Sequence, residues 1–186
     1  MSERPVPARP GSGGVSARLA EILRVDHAGE LAAVNIYRGH RAVFEAAGMT
    51  VAAERMAQFE AHEATHLARF EALLTAGQVR PTLMAPVWRA AAFGLGVGAA
   101  LIGEKAAHAC TEAVETVIEE HYAGQIAEIA AREPELATEL SAFRDDELTH
   151  REQARALGAA EAPFHAAFSA LVRAGCRAAI KVSERI

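Results

Sequence analysis

One pattern of acidic and histidine residues is written twice in this chain. Glu30 is followed by Glu63-Ala-Thr-His66, and Glu115 is followed, at almost the same separation, by Glu147-Leu-Thr-His150. Glu and His three positions apart share one face of a helix, so each Glu-x-x-His aims two ligand-type side chains the same way. One Glu from each of two helices and one Glu-x-x-His from each of two others make the ligand set of a paired metal centre inside a four-helix bundle. A lone Glu-x-x-His arises readily by chance. The single Glu at matching spacing in both halves is what gives the pattern weight.

Punctuation along the chain predicts the helices. Ser16 can cap a helix that runs to Ala47 and stops at Gly48. A second helix covers Thr50 to Ala76 and ends at Gly77, with Pro81 beyond. Pro86 opens a long helical stretch to about Tyr122, which Gly124 interrupts, and Pro134 stands in the first turn of a helix ending near Gly158. A final helix follows Pro163, from Phe164 to about Glu184.

Helix geometry then tests the motif. Glu30 precedes the Gly48 turn by nearly the same stretch of chain as Glu63 follows it. At about 1.5 Å per residue, an antiparallel hairpin brings the two nearly level. Glu115 before Gly124 and Glu147 after Pro134 are again roughly level. One site at one depth is therefore feasible, with Leu83 to Gly103 left over as the crossover between hairpins.

Composition agrees with an all-α domain spanning residues 17–186. Hydrophobic residues make up 51% and aromatics only 5%, with Ala, Leu, Glu and Arg prominent. Residues 1–16, rich in Pro, Gly and Ser, read as a disordered tail with no secretory signal. A net charge of −5 without a basic block argues against a nucleic-acid partner. Cys110 and Cys176 form no Cys-x-x-Cys and read as free thiols of a reducing compartment.

Charge balance supports metal at the centre. Four inward carboxylates would repel one another, and two divalent ions cancel them. Oxygen ligands with imidazole suit iron or manganese. The six expected ligands are Glu30, Glu63, His66, Glu115, Glu147 and His150. Asp26, Asp145 and Asp146 are the only aspartates, and all lie near these ligands. Asp26 and Asp145 are candidates to hold the ligating histidines by their second N–H. Tyr37 and Tyr122 each follow a single-Glu ligand by seven positions and share its face. His108, seven before Glu115, can approach from that face too, whereas His27, His40, His62, His121 and His165 receive no role. Glu112, Glu119 and Glu120 read as a solvated face beside Glu115.

The longest uncharged stretch, Ala90 to Gly103, falls short of the roughly 20 residues that span a bilayer. With Leu83, Met84 and Trp88 it is apolar on most sides, and it reads as a surface that rests on a membrane. Gly94-Leu-Gly96-Val-Gly98 lacks a preceding strand and the spacing of a dinucleotide loop. Gly94 and Gly98 are instead expected to permit close helix approach or to leave room for a slim apolar ligand.

At these residues the chain resembles the demethoxyubiquinone hydroxylases of ubiquinone biosynthesis, in the ferritin-like di-iron superfamily. The resemblance rests on Arg24-Val-Asp-His-Ala-Gly-Glu30, the Glu63-Ala-Thr-His66 helix and Ala109-Cys-Thr-Glu-Ala-Val-Glu115. It continues through Phe143-Arg-Asp-Asp-Glu-Leu-Thr-His150 and the closing Gly175-Cys-Arg-Ala-Ala-Ile-Lys-Val-Ser-Glu-Arg-Ile186. Glu104-Lys105-Ala-Ala-His108 departs from the family, which typically shows Lys-Glu and Met there.

That resemblance implies a ferritin-like four-helix bundle with two iron ions on the six residues named. It implies O₂-dependent hydroxylation of the ring of a demethoxyubiquinone or demethoxyubiquinol with a polyprenyl tail, with electrons from NADH or the reduced quinone. It further implies a peripheral position on the cytoplasmic face of the inner cell membrane, with an accessory lipid-binding protein or a second copy as candidate partners. The rival readings are iron oxidation of the ferritin type and peroxide reduction of the rubrerythrin type. The exposed apolar segment argues against the first and the missing Cys-x-x-Cys module against the second.

Overall fold

A computed structural model describes residues 14–186. Residues 1–13 of the expected N-terminal tail lie outside the described range. Six α-helices and no strand occur among the described residues: α1 (Ala17–Ala46), α2 (Thr50–Ala76), α3 (Ala85–Ile102), α4 (Glu104–Ile129), α5 (Pro134–Ala156) and α6 (His165–Ser183). A short 3-10 turn, Ala159–Glu161, precedes α6.

Helix boundaries follow local chemistry. Ser16 Oγ accepts the Leu19 N–H at 3.1 Å and starts α1. Gly48, at φ +71°, lets the chain leave α1 and enter α2. Gly77 caps α2, but the left-handed residue that follows is Gln78 at φ +52°. Pro134 occupies the first turn of α5, where its missing N–H has no partner to lose.

The structure corrects two expectations about these boundaries. The stretch opened by Pro86 is two helices, because the chain bends at Gly103, whose φ of +141° is open to glycine and strained for other residues. Gly124 does not interrupt α4, which continues to Ile129. Measured from that true helix end, Glu115 stands almost as far from the turn as Glu147 does from Pro134, so the second hairpin brings its glutamates level.

Two antiparallel hairpins, α1–α2 and α4–α5, make the bundle. The crossover α3 lies along α1, and α6 packs on α4. One apolar cluster, with Phe70, Leu74 and Leu140, fills the bundle on the side of the α2 C-terminus. A second, with Phe44, Met56 and Phe59, fills the opposite end. Polar site residues lie between them.

The close helix approach expected at Gly94 and Gly98 is also corrected. Gly94 and Gly98 face open space, with nothing within 4 Å of an added Cβ. The close approach belongs to Gly96 and Gly39. A Cβ on Gly96 would collide with Ile36 O, and one on Gly39 would stand 2.5 Å from Phe93 O. α3 is 18 residues long with a mean hydropathy of 1.4, enough by length and composition to cross a membrane. It leaves Val87, Phe93, Leu101 and Ile102 exposed.

Candidate metal centre

All six expected ligands meet in the middle of the bundle and are buried: Glu30 from α1, Glu63 and His66 from α2, Glu115 from α4, Glu147 and His150 from α5. Their ligand atoms form two overlapping groups, each within 4.8 Å. One is Glu30, Glu63, His66 and Glu147, and the other is Glu63, Glu115, Glu147 and His150. Glu63 and Glu147 belong to both, as carboxylates shared between two ions would. Glu30 with His66, and Glu115 with His150, occupy the outer positions.

The imidazoles fix the orientation. His66 Nδ1 lies 3.6 Å from Glu30 and from Glu63, and 3.5 Å from Glu147. His150 Nδ1 lies 2.8 Å from Glu63 and 3.6 Å from Glu147. Each Nδ1 therefore faces the centre and each Nε2 points away. His66 Nε2 meets Asp146 Oδ2 at 3.2 Å, and His150 Nε2 meets His62 Nδ1 at 2.8 Å. With its proton on the outer nitrogen, each ring presents a lone pair inward.

The tyrosines work crosswise. Tyr37 on α1 donates to Glu115 on α4, and Tyr122 on α4 donates to Glu30 on α1. Each takes up Oε1 of its glutamate. What remains is informative: Oε2 of Glu30 and Glu115, both oxygens of Glu63 and Glu147, and Nδ1 of His66 and His150 have no neighbours to satisfy them except one another. Buried polar atoms are ordinarily satisfied. A convergent set of carboxylate oxygens and imidazole nitrogens with no other partners fits metal ions, and oxygen-rich ligation with imidazole fits iron or manganese.

Without metal, the charges settle by sharing protons. Burial, reinforced by Glu63, holds Glu30 up at about 7 and Glu147 at about 8. Burial and the charges of Glu147 and Glu63 hold Glu115 well above the usual carboxylate range. Glu63 goes the other way, down to about 2, because burial is outweighed by the close approach of His150 and His66. His66 is correspondingly raised: burial opposes its charge, but Glu147, Glu30 and Glu63 surround it.

Several expected partners sit elsewhere. Asp145 is exposed beside Arg144 at 3.6 Å, and Asp26 accepts from Gln125 Nε2 at 2.7 Å, so neither holds a ligating histidine. Their place is taken by Asp146 and by His62, which the sequence pattern alone leaves without a role. A signal for His62 is nonetheless present, since it stands four positions before His66 on the same helix. His108 is fully buried but does not join the ligand groups. The acidic face of α4 is paired: Glu112 with Arg155 and His165, Glu119 with Arg151, and Glu120 with Arg177. Both cysteines are free.

An apolar cavity of about 440 Å³ opens beside this centre, between α1, α3, α4 and α6. Glu30 and Tyr122 form part of its wall, and Ile36, Trp88, Leu95 and Phe168 line much of the rest. Asp26 and His121 supply its polar corner. Burial holds the Asp26 carboxyl well above its ordinary range, against the pull of the Gln125 hydrogen bond.

Two helical hairpins that close on paired Glu and Glu-x-x-His residues define the class of ferritin-like carboxylate bundles. Within that class, the chain belongs to the family described as ubiquinone biosynthesis protein COQ7, whose sequence model matches residues 17–183. It is 42% identical to the 3-demethoxyubiquinol 3-hydroxylase of Rhodospirillum rubrum, covering 95% of this chain and 82% of that protein. It is also 42% identical to the mitochondrial NADPH-dependent 3-demethoxyubiquinone 3-hydroxylase of Mus musculus, over 91% of this chain and 78% of the relative. The Homo sapiens protein of that name is 40% identical, over 91% and 79%.

Proposed function

We propose that this protein is a monooxygenase of ubiquinone biosynthesis that hydroxylates the ring of a demethoxyubiquinol, using two iron ions held by Glu30, Glu63, His66, Glu115, Glu147 and His150. The observation that carries the reading is the set of convergent, buried ligand atoms next to an apolar cavity of matching chemistry. Family membership and the hydroxylase names of relatives support the reaction class. Two ferrous ions held by these residues would supply what side chains lack, electrons and open positions for O₂.

The chain's own residues do the rest. Ile36, Leu95, Ile118 and Phe168 exclude water from the cavity, and the Trp88 indole, donating to Ser183 Oγ at 2.9 Å, braces its wall. Asp26 is held by Gln125, with His121 Nε2 3.6 Å away, and its second oxygen is bare. That oxygen is suited to orient a ring hydroxyl or methoxy group. Tyr122 shares the cavity wall with Glu30 and keeps that carboxylate aligned. The polyprenyl tail leaves past Leu171, which lines the cavity and is 73% exposed.

A peripheral membrane position fits the same arrangement. Leu83, Val87, Leu101 and Ile102 on or beside α3, with Phe164 and Leu171 at α6, give the chain exposed apolar surface. Electrons arrive from a nicotinamide nucleotide or from the reduced quinone.

The deciding experiment is mass spectrometry after incubating iron-loaded protein with short-chain demethoxyubiquinone, NADH and ¹⁸O₂. A product heavier by one ¹⁸O atom is expected. No product from protein that retains two irons would overturn the reading in favour of iron oxidation or peroxide reduction.

A further inference from the structure

A second buried polar group, which the metal centre does not use, lies farther along α4 from Glu115. His40 on α1 and His108 on α4 are fully buried, and no ring nitrogen of either has a hydrogen-bond partner. Thr111, on the same face of α4 between His108 and Glu115, is also fully buried with an unpartnered hydroxyl. Left dry, each such group is desolvated with no compensating hydrogen bond. Ordered water is the usual remedy for buried polar atoms that lack a protein partner.

These groups are arranged in order. α1 and α4 run antiparallel, and Tyr37 meets Glu115 where they face each other. His40 is one turn farther along α1, its ring 6.1 Å from that of Tyr37. His108 is seven positions before Glu115, roughly 10 Å along the axis of α4. At the outer end, Glu104 Oε1 lies 3.6 Å from His108 Nε2 and 3.0 Å from Arg55 Nη1, and that ion pair is partly exposed. Burial, with His108 nearby, pushes His40 down to about 3, so its ring is neutral. A neutral imidazole donates at one nitrogen and accepts at the other, as a proton relay requires. Neither histidine lines the apolar cavity.

We propose that His40, His108 and Thr111 hold a file of ordered water that carries protons from the Arg55–Glu104 pair at the surface to the Tyr37 hydroxyl. The inference rests on the hydroxylase reading. Turning a ring C–H and O₂ into C–OH and H₂O with two electrons consumes two protons, and a buried centre must import them. The bend at Gly103 puts Glu104 at the mouth of this route.

The test compares wild type with H40L/H108M and with H108Q, all iron-loaded. High-resolution crystal structures read the water, and turnover in H₂O and D₂O reads the protons. Water within hydrogen-bond distance of the wild-type ring nitrogens, absent from H40L/H108M, is expected. Turnover of that variant should fall about tenfold or more with a larger solvent isotope effect and unchanged iron content, while H108Q recovers much of the rate. A dry wild-type pocket overturns the proposal. So does a double variant with unchanged rate and isotope effect. Absence of any wild-type hydroxylation sinks the hydroxylase reading instead, and the crystallographic water is still decided without turnover.

Discussion

Asp146 and His62 stand one position before Glu147 and Glu63, at equivalent points of the two hairpins, and each steadies the histidine of the other hairpin. Outer hydrogen bonds of this kind set the ring orientation and basicity of a ligating histidine. His62→Leu and Asp146→Asn should therefore weaken iron binding about 10- to 100-fold without loss of helix. Competition with a chelator measures this, and unchanged affinity would refute the assignment. Glu30→Ala and Glu115→Ala should each lose bound iron outright, as read by metal analysis. The six converging residues are legible in the sequence because their spacing matches helix geometry in both halves. Their supports are less so. Adjacent residues on a helix point about 100° apart, so Asp145 faces solvent while Asp146, itself partly exposed, turns toward His66. The crosswise use of Tyr37 and Tyr122 depends on how α1 and α4 face each other, which no local pattern states.

At the scale of elements, α1 and α3 meet backbone to backbone, the closest approach at any described glycine. Gly96→Ala must push a methyl group into Ile36 O, so the two helices have to part. A loss of about 1–3 kcal/mol is expected. Gly94→Ala points into open space and should be neutral or gain up to about 1 kcal/mol in helix propensity. Urea denaturation of the pair tests this, and equal effects would show that the contact does not matter. Helix starts and the first hairpin are readable from Ser16, Gly48 and Pro134. The roles of Gly103 and Gly124 are not, since one glycine sits at a bend and the other inside a helix and only tertiary packing separates the cases.

For the whole molecule, metal and protons compete for one interior. In the metal-free chain Glu30 and Glu147, at about 7 and about 8, hold protons that the unfolded chain has released above its ordinary carboxylate value of 4.5. The raised His66 acts with the same sign above its unfolded value of 6.5, and buried His40 opposes only below that value. Between pH 6.5 and 8 the folded chain thus binds more protons than the unfolded one. Its stability should fall as pH rises, by roughly 1.4 kcal/mol per pH unit for each extra proton. Denaturation midpoints of chelator-treated and iron-loaded protein check this: the first should drop across that pH window and the second stay level. Vesicle flotation tests the outer surface, where Leu101→Glu with Leu171→Glu should reduce binding to phospholipid. The repeat in the sequence, finally, is not a repeat in surroundings. The Glu30–His66 end adjoins an apolar chamber and leans on a carboxylate, whereas the Glu115–His150 end leans on an imidazole and, through Tyr37, lies near buried His40. Like halves of the sequence stand in unlike surroundings, so a stepwise metal titration of the stripped protein should resolve two loading steps, the half backed by Asp146 filling first.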